Sequence, residues 1–235
     1  MKHGVTGIIG AMQEEIDAFL PQMEITLSHT IAGSLFTEGT LNGSKVVLVC
    51  SGIGKVNAAV CVQILANIFN VTSIVNTGVA GGLNPELDIF DIVISKDLVQ
   101  HDFDATGFGY DHGEIPRMPS SMFSANEELL SLAKTACAGD TLNGQKVIVG
   151  RIASGDIFVT EQKDRDKIIT LYKADCVEME GAAIAHAAYL NEIPFIVIRA
   201  ISDTASDSAM DDFAKFAQNA ATRSAAIVCK ILELT

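Results

Sequence analysis

Short runs of Val, Ile and Leu alternate along the whole chain with longer stretches in which apolar residues recur every three or four positions. Runs at 5–9, 45–50, 73–76, 91–96, 146–153 and 194–200 are bounded by Gly, Asn, Asp or Pro and predict strands. Helices are predicted from 14–19, over 56–69, 126–138 and 180–190, and over 211–234, where Asp211 and Asp212 suit the positive end of the helix dipole. Strands alternating with helices specify an α/β fold of three layers, α/β/α, with a central twisted sheet between helices. Asn42-Gly43, between 35–41 and 45–50, is a hairpin signal, so the sheet is mixed rather than all parallel. No linker, low-complexity tract or internal repeat divides the chain, and residues 1–235 read as a single domain.

The stretch 99–124 breaks the pattern. Gly107, Gly109, Gly113, Pro116 and Pro119 interrupt it, and a loop this long is usually functional or at an interface. Composition narrows the partners. The formal net charge is −13 and there is no Lys/Arg run, so nucleic acid and anionic membrane surfaces are poor partners. The five cysteines are widely spaced and odd in number, which predicts reduced thiols and not a disulfide framework. Neither Cys-x-x-Cys nor metal-ligand His spacing occurs, so no metal or other cofactor is expected. No signal peptide or membrane-spanning run is read, and a cytoplasmic location is expected.

In α/β sheets ligands bind beyond the carboxyl ends of strands, which directs attention to the segment after each run. Gly10 to Glu15 succeeds the first, Ser51-Gly52-Ile53-Gly54-Lys55 the second, and Thr77-Gly78-Val79-Ala80-Gly81-Gly82 the third. Ser51 to Lys55 fails both phosphate-loop patterns, having Val49 and Val56 at the key positions and Asn57 in place of a third glycine, so it reads as a tight turn. The glycines around Ala80 and Gly81 suit either a plain turn or close backbone approach to a ligand.

Glu178, Met179 and Glu180 precede an Ala-rich helix; in an extended lead-in both carboxylates face one way, which suits gripping the hydroxyls of a sugar. Charge at a helix N-terminus explains one of them as well, but not both. Arg199, Ser202 and Asp203 end the most apolar strand, where desolvation shifts pKa values. Helix capping by Ser202 or Asp203 with an ion pair to Arg199 is the competing reading.

Taken together, Gly7-Ile8-Ile9-Gly10-Ala11-Met12-Gln13-Glu14-Glu15, Ser51-Gly52-Ile53-Gly54-Lys55-Val56-Asn57, the run from His101 to Tyr110, Ser154-Gly155-Asp156, Val177-Glu178-Met179-Glu180 and Arg199-Ala200-Ile201-Ser202-Asp203 resemble the motifs of bacterial 5′-methylthioadenosine/S-adenosylhomocysteine nucleosidases, in the nucleoside phosphorylase superfamily. The resemblance implies a homodimer acting on thio-adenosines, with 5′-deoxyadenosine as a further substrate, in methionine salvage. It implies that Asp203 protonates adenine N7, that Glu15 activates water, and that Glu180 and Met179 hold the ribose. It places Phe158 against adenine, backbone groups of Val159 at its edge, and Ile53, Met210 and Phe213 near the 5′-substituent. Phe108, Tyr110 and Pro116 are implied to reach the neighbouring subunit's site. Val79 stands where many relatives carry a small hydroxyl residue, and Phe103 where Ala is usual. Aminofutalosine hydrolysis, purine phosphorolysis and non-catalytic nucleoside binding are the other readings; the motifs carry no arginine besides Arg199, which disfavours phosphate.

Overall fold

Ile8 and Ile9, adjacent in the first strand, pack into different cores on opposite sides of one sheet, as the two-residue period of a strand requires. The computed structural model describes residues 4–138, 144–205 and 208–235. The chain runs β1 (Thr6–Gly10), α1 (Gln13–Ile16), β2 (Glu24–Ile31), β3 (Ser34–Leu41), β4 (Ser44–Cys50), α2 (Lys55–Asn67), β5 (Ser73–Gly82), β6 (Ile92–Gln100), β7 (Met122–Ser124), α3 (Glu127–Ala136), β8 (Val147–Ser154), α4 (Gln162–Tyr172), β9 (Cys176–Glu178), α5 (Gly181–Leu190), β10 (Phe195–Asp203) and α6 (Ala209–Glu233). Short 3₁₀ turns at Leu20–Gln22 and Thr106–Phe108 complete the described elements.

All these strands belong to one mixed sheet. Its order is β10-β6-β8-β9-β5-β1-β4-β3-β2, with β7 on β6. β1 pairs in parallel with β4 and β5, and the Asn42-Gly43 turn joins β3 to β4 as an antiparallel hairpin. β10 also pairs with β5, so β5, β10, β6, β8 and β9 close into a ring. Helices α1, α3 and α6 cover the face carrying Ile8, Val75 and Ile198. Helices α2 and α5 cover the face carrying Ile9, Ile74 and Val197. This is the α/β architecture the pattern predicts.

Local signals set several ends. Asn126 caps α3 by accepting from Leu129 N–H at 3.1 Å, Glu127 and Glu128 fill its first turn, and Lys134 lies in its last. α6 opens with Asp211 and Asp212 in its first turn. The structure departs from the pattern in several places: α1 ends at Ile16 rather than at 19, β6 runs on to Gln100, and β7 lies inside the stretch 99–124 that reads as irregular. β2 is an edge strand exposed along almost its whole length, so it has no alternation to read. β9 is three residues long, and the polar α4 buries only Ile168 and Tyr172. β5 does not end at Asn76 but continues to Gly82, because its glycine-rich end pairs with both β9 and β10. The five cysteines are unpaired. Among the described residues no helix is long and apolar enough to cross a membrane.

Candidate active site

Where β1, β5, β9 and β10 end, a cavity of about 540 Å³ opens, walled also by α1, the start of α6, and the turns around Ile53 and Phe158. Ring closure is what brings these segments together. Gly81 sits between Val177 of β9 and Asp203 of β10, and a Cβ there would lie 2.8 Å from an Asp203 carboxylate oxygen. Glycine is required for that approach.

Glu15 projects into the cavity from the one-turn α1 and is buried. Its Oε2 accepts from the N–H groups of Ala11 at 2.6 Å and Met12 at 3.1 Å, and its Oε1 from Val79 N–H at 3.0 Å. A Cβ on Gly78 would collide with Oε1. Burial raises the Glu15 pKa above its ordinary value, against the opposing pull of Arg199 and these amides. Three backbone donors thus aim one carboxylate, leaving its open side toward the cavity.

Glu178 and Glu180 both line the cavity but differ in what already holds them. Glu178 accepts from Arg199 Nη2 at 2.5 Å, from Ser154 Oγ, and from the N–H groups of Glu180 and Gly181. Its lone pairs are occupied, so it organises the entrance to α5. Glu180 accepts from Gly54 N–H at 2.7 Å. Burial, then the neighbouring Glu178 charge, push its pKa up to about 8. Both carboxylates face one cavity, as the extended lead-in leads one to expect, but they are not an equivalent pair. The turn 51–55 leads from β4 directly into α2, and its Gly54 amide holds a carboxylate.

Arg199 is 2 % exposed and lies outside the cavity lining. Besides Glu178 it donates to Asn76 Oδ1 at 2.5 Å and to Ile198 O at 3.1 Å. Its partner is Glu178, not Asp203, so the capping-plus-ion-pair reading of this strand end fails on the ion pair. Asp203 accepts from Ser202 Oγ at 2.9 Å and from Ala205 N–H at 2.8 Å. Both Ser202 and Asp203 are the last residues of β10 and not a turn after it. Burial raises the Asp203 pKa, with Asp212 adding to the rise. A carboxyl so placed holds a proton more readily than one in water.

The remaining walls are apolar. Phe158 and Phe213 meet edge to face with ring centres 5.7 Å apart, beside Ile53, Val79, Ala80, Val159, Met179 and Met210. Thirteen of the sequence-predicted residues thus share one cavity: Glu15, Ile53, Ala80, Gly81, Phe158, Val159, Glu178, Met179, Glu180, Ser202, Asp203, Met210 and Phe213. Phe108, Tyr110 and Pro116 are not brought to it; Phe108 is 87 % exposed. Ala11, Met12, Ile157, Val177, Ala205 and Ala214 also line it, although sequence reasoning assigns them no role. Ala11, Met12 and Val177 stand inside the family motifs, while the others are small or apolar residues without a local signal.

Residues 5–233 match the family described as Phosphorylase superfamily. The chain is 40% identical over 230 residues to a 5′-methylthioadenosine/S-adenosylhomocysteine nucleosidase of Bacillus cereus (strain B4264), covering 96% of this chain and 97% of that one. A Neisseria meningitidis nucleosidase of the same name, solved with methylthio-immucillin-A, superposes with TM-score 0.94 at 38% identity, covering 99% of this chain and 100% of that one. A futalosine hydrolase of Helicobacter pylori superposes with TM-score 0.93 at 31% identity, covering 99% and 98%. The chain belongs to the phosphorylase superfamily and, within it, to the 5′-methylthioadenosine/S-adenosylhomocysteine nucleosidases.

Proposed function

We propose that this protein hydrolyses the N-glycosidic bond of 5′-methylthioadenosine and S-adenosylhomocysteine, with Asp203 and Glu15 as its catalytic pair. Asp203, protonated, gives its proton to adenine N7 as the bond between N9 and the anomeric carbon breaks. Glu15 takes a proton from the water that adds to that carbon. Adenine and the 5-substituted ribose leave, and atoms and charge balance. Glu180 and Met179 hold the ribose hydroxyls, Phe158 and Val159 the base, and Ile53, Met210 and Phe213 the 5′-substituent. The pairing resembles an inverting glycosidase, in which a protonated acid and a base that holds water flank the scissile bond.

One observation carries this reading: carboxylates crowd a cavity that, among the described residues, has no Lys, Arg or His in its lining. Such walls offer phosphate no cationic partner and suit water. The test is adenine release from methylthioadenosine with and without phosphate. Phosphate-independent release is expected; a strict phosphate requirement, or bound nucleoside without turnover, defeats the proposal. The structural likeness to a futalosine hydrolase favours aminofutalosine as a second substrate class, to be assayed beside the first.

The exposed Phe108, with Tyr110 and Pro116, serves in this reading to complete the site of a second copy in a cytoplasmic homodimer. Exposed Val56, Val60, Tyr189 and Leu190 on α2 and α5 supply apolar surface for such an interface.

A further inference from the structure

Three hydrogen bonds close a ring between three chain segments beside the cavity. Asp102 Oδ1 accepts from Lys55 Nζ at 2.6 Å, Asp102 Oδ2 accepts from Asp156 N–H at 2.9 Å, and Asp156 Oδ1 accepts from Lys55 N–H at 2.8 Å. Gln100 Oε1 takes a second bond from Lys55 Nζ at 3.2 Å, fixing the ammonium from the end of β6. Burial works to raise the Asp102 pKa, but Lys55 and the Asp156 amide outweigh it and keep the carboxylate charged.

Two arms of the ring continue directly into the cavity. Lys55 follows Gly54, whose N–H holds Glu180 at 2.7 Å, and Ile53 before it lines the wall. Asp156 is followed by Ile157 and Phe158, both in the lining. Asp102 itself does not line the cavity and is the member of the ring that bonds both arms through its side chain. The Lys55 and Asp102 side chains are 19% and 16% exposed, and a partly exposed ion pair adds little to stability.

We propose that Asp102 is a positioning residue for the reaction: by clamping Lys55 to Asp156 it holds the Gly54 amide against Glu180 and sets the spacing between that carboxylate and the Phe158 wall. The inference rests on the hydrolase reading for its kinetics, but its structural content does not. Asp102→Asn retains one acceptor oxygen and presents an NH₂ group to either Lys55 or the Asp156 amide, so one arm of the ring opens. The charged groups facing Glu180 are Glu178, Arg199 and Glu15, and this substitution changes none of them. What Glu180 loses is the Gly54 N–H, which stabilises its ionised form, so its titration moves to higher pH.

The test tracks the Glu180 carboxyl by ¹³C NMR in the unliganded protein, with Glu180→Gln identifying the resonance. Asp102→Asn and, separately, Lys55→Met are each expected to shift its midpoint upward, and Asp102→Glu to restore it. Steady-state assays with methylthioadenosine are expected to give a fall of about tenfold to a hundredfold in kcat/KM for Asp102→Asn. The double variant should be no worse than the single one, because the two residues act as a unit. An unmoved Glu180 midpoint in both single variants, or additive losses, overturns the positioning role. Absence of adenine release by the parent overturns the hydrolase reading instead, and leaves the NMR result to decide this one.

Discussion

The guanidinium of Arg199 stands 2.5 Å from the carboxylate of Glu178, with both side chains buried. The cation nearest the site is thereby consumed in holding an anion of the same site. Arg199→Met leaves Glu178 without its cation in the interior. Loss of about 3–5 kcal/mol is expected for breaking a buried pair from one side, read as a lower midpoint in urea unfolding. A loss below about 1 kcal/mol, the range of exposed pairs, would show that solvent reaches the pair.

Asp203→Asn retains one acceptor oxygen for Ala205 N–H while removing the transferable proton. A drop of about 10²–10⁴-fold in kcat is expected for the loss of a general acid. Adenine release at near-parental rate would remove Asp203 from the mechanism.

Gly78 has no room for a side chain. In Gly78→Ala the new methyl meets Glu15 Oε1 and lies 3.3 Å from Arg199 Nη1. The Glu15 carboxylate must move, and a displacement near 1 Å costs on the order of 10²-fold in rate. Kinetics of the purified variant, with circular dichroism to confirm its fold, checks this.

Glu180 provides a test through pH. Its pKa rises from an ordinary 4.5 to about 8, so the folded protein binds a proton more tightly than the unfolded chain. Stability associated with that proton is complete in acid and is lost as pH rises through about 8. Glu180→Gln is neutral throughout and does not suffer this loss. Its Tm should match the parent in acid, gain on it between these two values, and keep a constant lead above them. The lead should be roughly 2–4 °C per kcal/mol relieved. Parallel Tm curves across that range would contradict the raised value.

Much of the fold and site is legible in the chain, and the gaps have physical causes. Continuous apolar runs locate β1 and β4 because both faces of the sheet are buried there, Ile8 and Ile9 entering opposite cores. Edge strand β2 leaves no trace, since its Ile25 and Leu27 face outward and are each 53% exposed. Gly78, Gly81 and Gly82 suit a plain turn or close approach to a ligand on local grounds; their pairing with β9 and β10 is a tertiary fact. Glu15, Glu180 and Asp203 can be named from motifs, and the cavity does unite them. Sequence cannot say that Arg199 turns to Glu178 rather than Asp203, because that choice is made by the approach of β9 to β10.

Closure of β5, β10, β6, β8 and β9 into a ring also governs when the protein becomes competent. Asp203 and Gly81 are paired neighbours on strands far apart in the chain, and such contacts form late because they close long loops. The stretch from β1 to β4 can organise among near neighbours, but it supplies only Glu15 and part of one wall. Recovered turnover during refolding therefore reports the last strand's arrival, and should trail the return of helical signal.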